Sequence, residues 1–195
     1  MKRLFDIVVS LFSLIILFPL FLLIAIWVVI DSGFPVLYVQ QRVGRGNKDF
    51  PLLKFRTMHQ GADQKGLLTV GSNDHRITRA GGLLRKYKLD ELPQLFNILR
   101  GQMSFVGPRP EVRKYVDLYT SDQKKVLSVK PGLTDYASLQ YLDENTILQQ
   151  FPDPEKAYIE TIMPDKLMLN IRYINHRSLL TDIKIILKTI GKIVR

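Results

Sequence analysis

From Ile7 to Ile30 the chain is apolar except at Ser10, Ser13 and Pro19. At about 1.5 Å per helical residue, such a run is long enough to cross the hydrocarbon of a bilayer. It exceeds the apolar region of a secretory signal, and no small-residue cleavage site follows Trp27-Val28-Val29-Ile30. An ordinary core helix is not apolar on every face. Lys2 and Arg3 precede the run, and Arg42, Arg45 and Lys48 are the first cations after it. Positive charge on a short flank marks the cytoplasmic side, and here both flanks carry it. Pro19, in the middle, removes one backbone hydrogen bond and clashes with the preceding turn. Residues 1–34 are therefore expected to form a re-entrant membrane helix broken at Pro19. A kinked spanning helix is the competing expectation.

Beyond the anchor the pattern changes to that of a small domain, residues 35–177. Val36-Leu37-Tyr38-Val39 and Phe50 to Met58 read as strands around a turn at Gly44-Arg45-Gly46-Asn47. Residues 59–76 are polar and contain glycine, which predicts a mobile loop. Helical spacing is expected from Arg79 to Lys88, from Glu91 to Leu99 and from Glu111 to Val129. Lys130-Pro131-Gly132-Leu133-Thr134 predicts a turn, and residues 153–177 one or two helices with Pro164 as a break. In residues 178–195, Ile183, Ile186, Leu187, Ile190 and Val194 recur at helical spacing, interleaved with Lys184, Lys188, Lys192 and Arg195. This is a basic amphipathic helix suited to an anionic membrane surface. A helix packed on the domain with a solvated basic face is the alternative. The fold class is α/β-mixed and mainly helical, with a short β-hairpin or sheet and amphipathic helices at the surface.

The formal net charge of +10 predicts an anionic partner. An anionic lipid membrane or a phosphorylated small molecule fits. Nucleic acid does not, because no basic motif interleaved with aromatics and no nucleic-acid module is present. The absence of cysteine excludes a thiol nucleophile and thiolate metal sites. His59, His75 and His176 have no zinc-ligand spacing.

The richest chemistry lies at Asp90-Glu91. Asp is a favoured N-cap, and Pro93 is tolerated in a first helical turn. A helix start keeps a carboxylate ionised and is also a phosphate site. An ionised carboxylate beside a phosphate can act as a nucleophile. Repulsion between the two anions would have to be neutralised by cations and a divalent metal. Mg²⁺ (or Mn²⁺) suits Glu91 and Asp90 completed by phosphate oxygens. Lys54, Arg56, Arg85 and Arg109 are the candidate phosphate-binding cations, Arg109 being set between Pro108 and Pro110. By spacing alone, a helix cap with a solvated basic face prevails over this picture.

Four ordered motifs reverse that balance. They are Lys54-Phe55-Arg56-Thr57-Met58, the run Asp90-Glu91-Leu92-Pro93-Gln94-Leu95-Phe96-Asn97, then Met103-Ser104-Phe105-Val106-Gly107-Pro108-Arg109-Pro110, and Lys130-Pro131-Gly132-Leu133-Thr134. With the apolar N-terminal segment they closely resemble the bacterial sugar transferase family, the monotopic phosphoglycosyl transferases. The resemblance is strong over residues 1–135. It implies transfer of a phosphosugar from a UDP-sugar to polyprenyl (undecaprenyl) phosphate at the cytoplasmic face of the bacterial inner membrane, with release of UMP. It further implies Asp90 as nucleophile, a covalent aspartyl-phosphosugar intermediate, Glu91 on Mg²⁺, and phosphate contacts from Arg85 and Arg109. Such a step opens a glycoconjugate pathway, and a homodimer is compatible with it. The rival expectation is a basic, membrane-tethered binding protein without catalysis. Two departures stand out. The family's Ser-Pro bend is Phe18-Pro19 here, and Asp135-Tyr136-Ala137-Ser138-Leu139-Gln140 replaces the family's usual Gly-Trp-Ala-Gln segment.

Overall fold

The computed structural model describes residues 1–62, 74–141 and 143–193. Helix α1 runs from Lys2 to Ser32 with Pro19 inside it. It is the one helix among the described residues long and apolar enough to cross a membrane, and only 11% of its most apolar window is buried. The buried positions Asp6, Ser10, Ile24 and Val28 fall on one face. Leu14, Leu17 and Phe21 continue that face into the core. Leu4, Val8, Leu11, Phe12, Ile15, Leu22, Ile26 and Ile30 point outward and are exposed. The expected break at Pro19 is absent, because the helix is continuous through it. Pro19 lies on the exposed face. Contacts on the inner face hold both halves of the helix.

A hairpin follows. Strand β1, Leu37–Val43, pairs antiparallel with β2, Asp49–Phe55, in register Leu37↔Phe55 to Val43↔Asp49. Its turn needs left-handed backbone at Gly46 and Asn47 (φ 68° and 62°), residues that tolerate it. Phe50 and Leu52 of β2 pack against α1 and helix α3, Gln94–Arg100, in one core cluster. Helix α2, Arg79–Lys86, starts at Thr78, whose side chain accepts from the Gly81 N–H. Of the loop expected at 59–76, residues 63–73 lie outside the described residues.

Strand β3, Ser104–Val106, pairs parallel with β4, Gly132–Thr134. The segment expected as a turn at Lys130–Thr134 thus ends in a strand. Two motif glycines explain the pairing: a Cβ on Gly132 would lie 2.1 Å from the Gly107 nitrogen. Only hydrogen at both positions lets the two backbones touch.

The helix expected over Glu111–Val129 is also corrected. It consists of α4, Arg113–Val116, and a 3₁₀ segment at Gln123–Ser128. Thr120 and Gln123 cap one another reciprocally, which restarts the chain after the break. The remaining helices are α5 (Tyr136–Gln140), α6 (Glu144–Leu148), α7 (Pro154–Ala157), α8 (Met163–Asn175) and α9 (Leu179–Ile193). A π-helical stretch at Tyr158–Ile162 joins α7 to α8 without interruption, so the break expected at Pro164 is absent and the proline sits inside one helical run just after its widened turn. α9 turns Asp182 and Ile185 into the domain and leaves Leu180, Ile183, Leu187 and Ile190 exposed. α9 thus packs an inner face on the domain and exposes an outer face of apolar residues with Lys184 and Lys188, while Val194 and Arg195 lie outside the described residues.

Candidate active site

Asp90 and Glu91 lie in a 3₁₀ turn, Leu89–Glu91, entered through Lys88 in left-handed backbone (φ 55°). The residue at the N-cap of α3 is Pro93, not Asp90. The helix-cap role expected for Asp90 is thus corrected: the turn ends before α3 begins, which frees both carboxyl groups from capping. Both residues are nonetheless buried, 7% and 8% exposed. The six candidate residues, Lys54, Arg56, Arg85, Asp90, Glu91 and Arg109, line one cavity of about 1480 Å³. Ser13 and Leu17 of α1 line it as well, so the cavity abuts the anchor helix.

Arg109 grips Glu91 with its fork. Nη1 donates to Oε2 at 3.1 Å and Nη2 donates to Oε1. Burial pushes the Glu91 carboxyl up, but the charge and hydrogen bonds of Arg109, aided by Lys54, outweigh it and hold Glu91 well below the usual carboxylate range. The Glu91 charge in turn holds the Arg109 guanidinium firmly protonated. Asp90 goes the other way. Burial, then the neighbouring Glu91, raise it to about 6 against the pull of Lys54, Arg85 and Lys88. Its Oδ1 is buried without a hydrogen-bond partner.

Lys54, on β2, is lowered to about 8, first by burial and then by Arg42, while the two carboxylates oppose the shift. Arg85, on α2, is lowered by burial and raised by Asp90. Its Nε donates to Thr57 Oγ1 at 2.8 Å. Arg56 stands apart. Its Nη2 donates to Ser32 O at 2.8 Å, Ser32 Oγ at 3.0 Å and the Gly33 carbonyl, closing the C-terminal end of α1. Its Nε and Nη1 are buried without partners.

Two residues that pattern reasoning did not single out complete the site. The Asp135 carboxylate, fully buried, accepts from the Arg109 backbone N–H at 3.1 Å and from Ser138 N–H at 2.6 Å. It caps α5 and fixes the arginine loop at once. Its signature was an acid just before a short helix, in the segment where the chain departs from the family. Thr57, inside the Lys-Phe-Arg-Thr-Met motif, seats Arg85. Among the described residues no group of three or more His, Asp or Glu side chains could hold a metal alone. A divalent ion would need Asp90, Glu91 and oxygens of a bound phosphate. The orphaned Asp90 Oδ1 fits that requirement, whereas both Glu91 oxygens are engaged by the Arg109 fork in this structure.

Known proteins resemble this chain over most or all of its length. The model of the family described as bacterial sugar transferase matches residues 1–195. A UDP-N-acetylgalactosamine-undecaprenyl-phosphate N-acetylgalactosaminephosphotransferase of Aeromonas hydrophila is 35% identical over 195 residues, covering 98% of this chain and 43% of its own length. A UDP-glucose:undecaprenyl-phosphate glucose-1-phosphate transferase of Caulobacter vibrioides is 36% identical over 194 residues, 97% of this chain and 68% of the relative. An undecaprenyl-phosphate galactose phosphotransferase of Salmonella typhimurium is 44% identical over 149 residues, 69% of this chain and 31% of the relative. The chain thus spans less than half the length of the first and third of these. With its motifs gathered in one cavity beside a membrane helix and its whole length matched, this chain belongs to the bacterial sugar transferase family.

Proposed function

We propose that this protein transfers a sugar phosphate from a UDP-sugar to polyprenyl phosphate at the cytoplasmic face of the bacterial inner membrane, through a covalent intermediate on Asp90. One observation carries the reading. Of two adjacent buried carboxylates, Glu91 is held in the fork of Arg109, while Asp90 keeps an oxygen without a partner inside a cationic cavity.

In this reading the donor pyrophosphate lies against Arg109, Arg85 and Lys54. An Asp90 oxygen attacks the phosphorus that bears the sugar. The phosphoanhydride bond breaks, UMP leaves, and an acyl phosphate joins Asp90 to the sugar phosphate. A phosphate oxygen of the lipid then attacks the same phosphorus, forms the polyprenyl diphosphate sugar and returns Asp90 as a carboxylate. Bound Mg²⁺, held by Glu91 and Asp90 with phosphate oxygens, would supply charge neutralisation to both steps. Lys54 and the arginines hold the non-bridging oxygens beside the buried Asp90.

The anchor supports the lipid half of the reaction. Lys2 and Arg3 at one end of α1, and Asp31 and Ser32 at the other, bond to the same domain. Both ends of α1 then lie on one side of the bilayer, with the outward apolar face in lipid. The direct test is UMP release from a panel of UDP-sugars with undecaprenyl phosphate in detergent, with and without EDTA. Metal-dependent UMP release is expected. A basic binding protein without catalysis would release none.

A further inference from the structure

Each end of α1 is bonded to an element that carries, or leads directly to, one arginine of the cavity. At the N-terminal end Asp6, 2% exposed, accepts from Ser104 Oγ at 3.1 Å and from the Phe105 backbone N–H at 3.2 Å. Lys2, one turn earlier, donates to the Val106 carbonyl and to the Tyr173 hydroxyl at 2.8 Å each, and pairs with Asp182 at 2.6 Å. These groups fix β3, and Arg109 follows β3 by only three positions. At the other end Asp31 Oδ2 accepts from the Ala80 N–H at 3.0 Å, in the first turn of α2, which carries Arg85. Arg56 grips Ser32 and Gly33, and the adjacent Thr57 receives Arg85 on its hydroxyl and the Thr78 N–H on its carbonyl. The seat is close: a Cβ on Gly81 would lie 2.1 Å from the Thr57 carbonyl oxygen.

An anchor alone needs no carboxylates. Placing them in an apolar helix at a bilayer is costly unless each is satisfied by defined partners. Asp6 and Asp31 are so satisfied, and their partners belong to the catalytic scaffold. We propose that α1 is a wall of the active site as well as an anchor, with Asp6 positioning Arg109 through β3 and Asp31 positioning Arg85 through α2. The inference rests on the transferase reading above. A misplacement of about 1 Å in either guanidinium is enough to lose roughly 100-fold in rate.

The experiment is a set of double-mutant cycles on the full chain in detergent, reading kcat for UMP release with the melting temperature beside it. Asp6→Ala and Asp31→Ala should each lose about 10- to 100-fold. Asp6→Asn and Asp31→Asn keep an acceptor oxygen and should recover most of the rate. On an Arg109→Ala background Asp6→Ala should cost under about twofold, yet keep its full cost on Arg85→Ala. Asp31→Ala should show the reverse pattern. If an alanine variant does not fold, Ser104→Ala removes one donor to Asp6 without touching α1 and takes its place in the cycle. Single variants with wild-type rates, or equal losses on both arginine backgrounds, would overturn the inference. Absence of UMP release by the wild type would instead sink the transferase reading.

Discussion

At Asp90 and Glu91, two carboxyl groups one residue apart are driven in opposite directions. The same burial acts on both, but only Glu91 has the Arg109 fork. This division yields two predictions. Arg109→Lys keeps the charge and loses the bidentate grip on Glu91 and on phosphate, so UMP release should fall about 100-fold or more. Steady-state kinetics check it; near-normal rates would reduce Arg109 to a contributor to the general field. The second concerns pH. Asp90, raised to about 6, must be ionised to attack, so kcat/KM is lost as pH falls through that value. Lys54, lowered to about 8, must be charged to hold phosphate, so kcat/KM is lost again as pH rises through that value. A bell between these limits is expected. Lys54→Arg should move the alkaline limb upward and leave the acid limb in place; an unmoved alkaline limb would exclude Lys54. At this scale the sequence was legible where a motif named the residue. Asp135 was not, because its role depends on meeting Arg109, 26 positions earlier in the chain, in space.

At the scale of elements, local periodicity succeeded where partners are close in sequence. The β1–β2 hairpin, α2 and α9 follow from alternation, capping and spacing within a few residues. The β3–β4 pairing did not, since each strand has three residues and the contact rests on two glycines that read locally as turns. Pro19 misled for a related reason. Its intrinsic tendency to break a helix is outweighed by inner-face packing of Leu14, Leu17 and Phe21, which no local rule contains. Since polar groups clamp both ends of α1 to one domain, both ends are expected on the cytoplasmic side. The chain has no cysteine, so a cysteine inserted after Met1 reports alone, as does Phe34→Cys at the exposed far end. In spheroplasts both should resist a membrane-impermeant thiol reagent and react after lysis. Labelling of the first from outside would mean that α1 spans.

For the whole molecule, the proposed function joins an apolar anchor, a cationic cavity and the outer row on α9 into a device for a substrate that is part lipid and part phosphate. On that proposal the net charge of +10 would draw the domain to anionic headgroups, and the exposed apolar faces of α1 and α9 would meet the lipid. The cavity is lined by Ser13 and Leu17 of α1. The central claim is chemical: Asp90 becomes covalently phosphorylated by the donor. Intact-protein mass spectrometry tests it most directly. Wild-type protein incubated with its UDP-sugar donor and Mg²⁺, without lipid acceptor, should gain the mass of one sugar phosphate and lose it when undecaprenyl phosphate is added. Asp90→Asn should gain nothing and fall in turnover by several orders of magnitude. Full UMP release by Asp90→Asn, or turnover by the wild type with no adduct ever formed, would contradict the account.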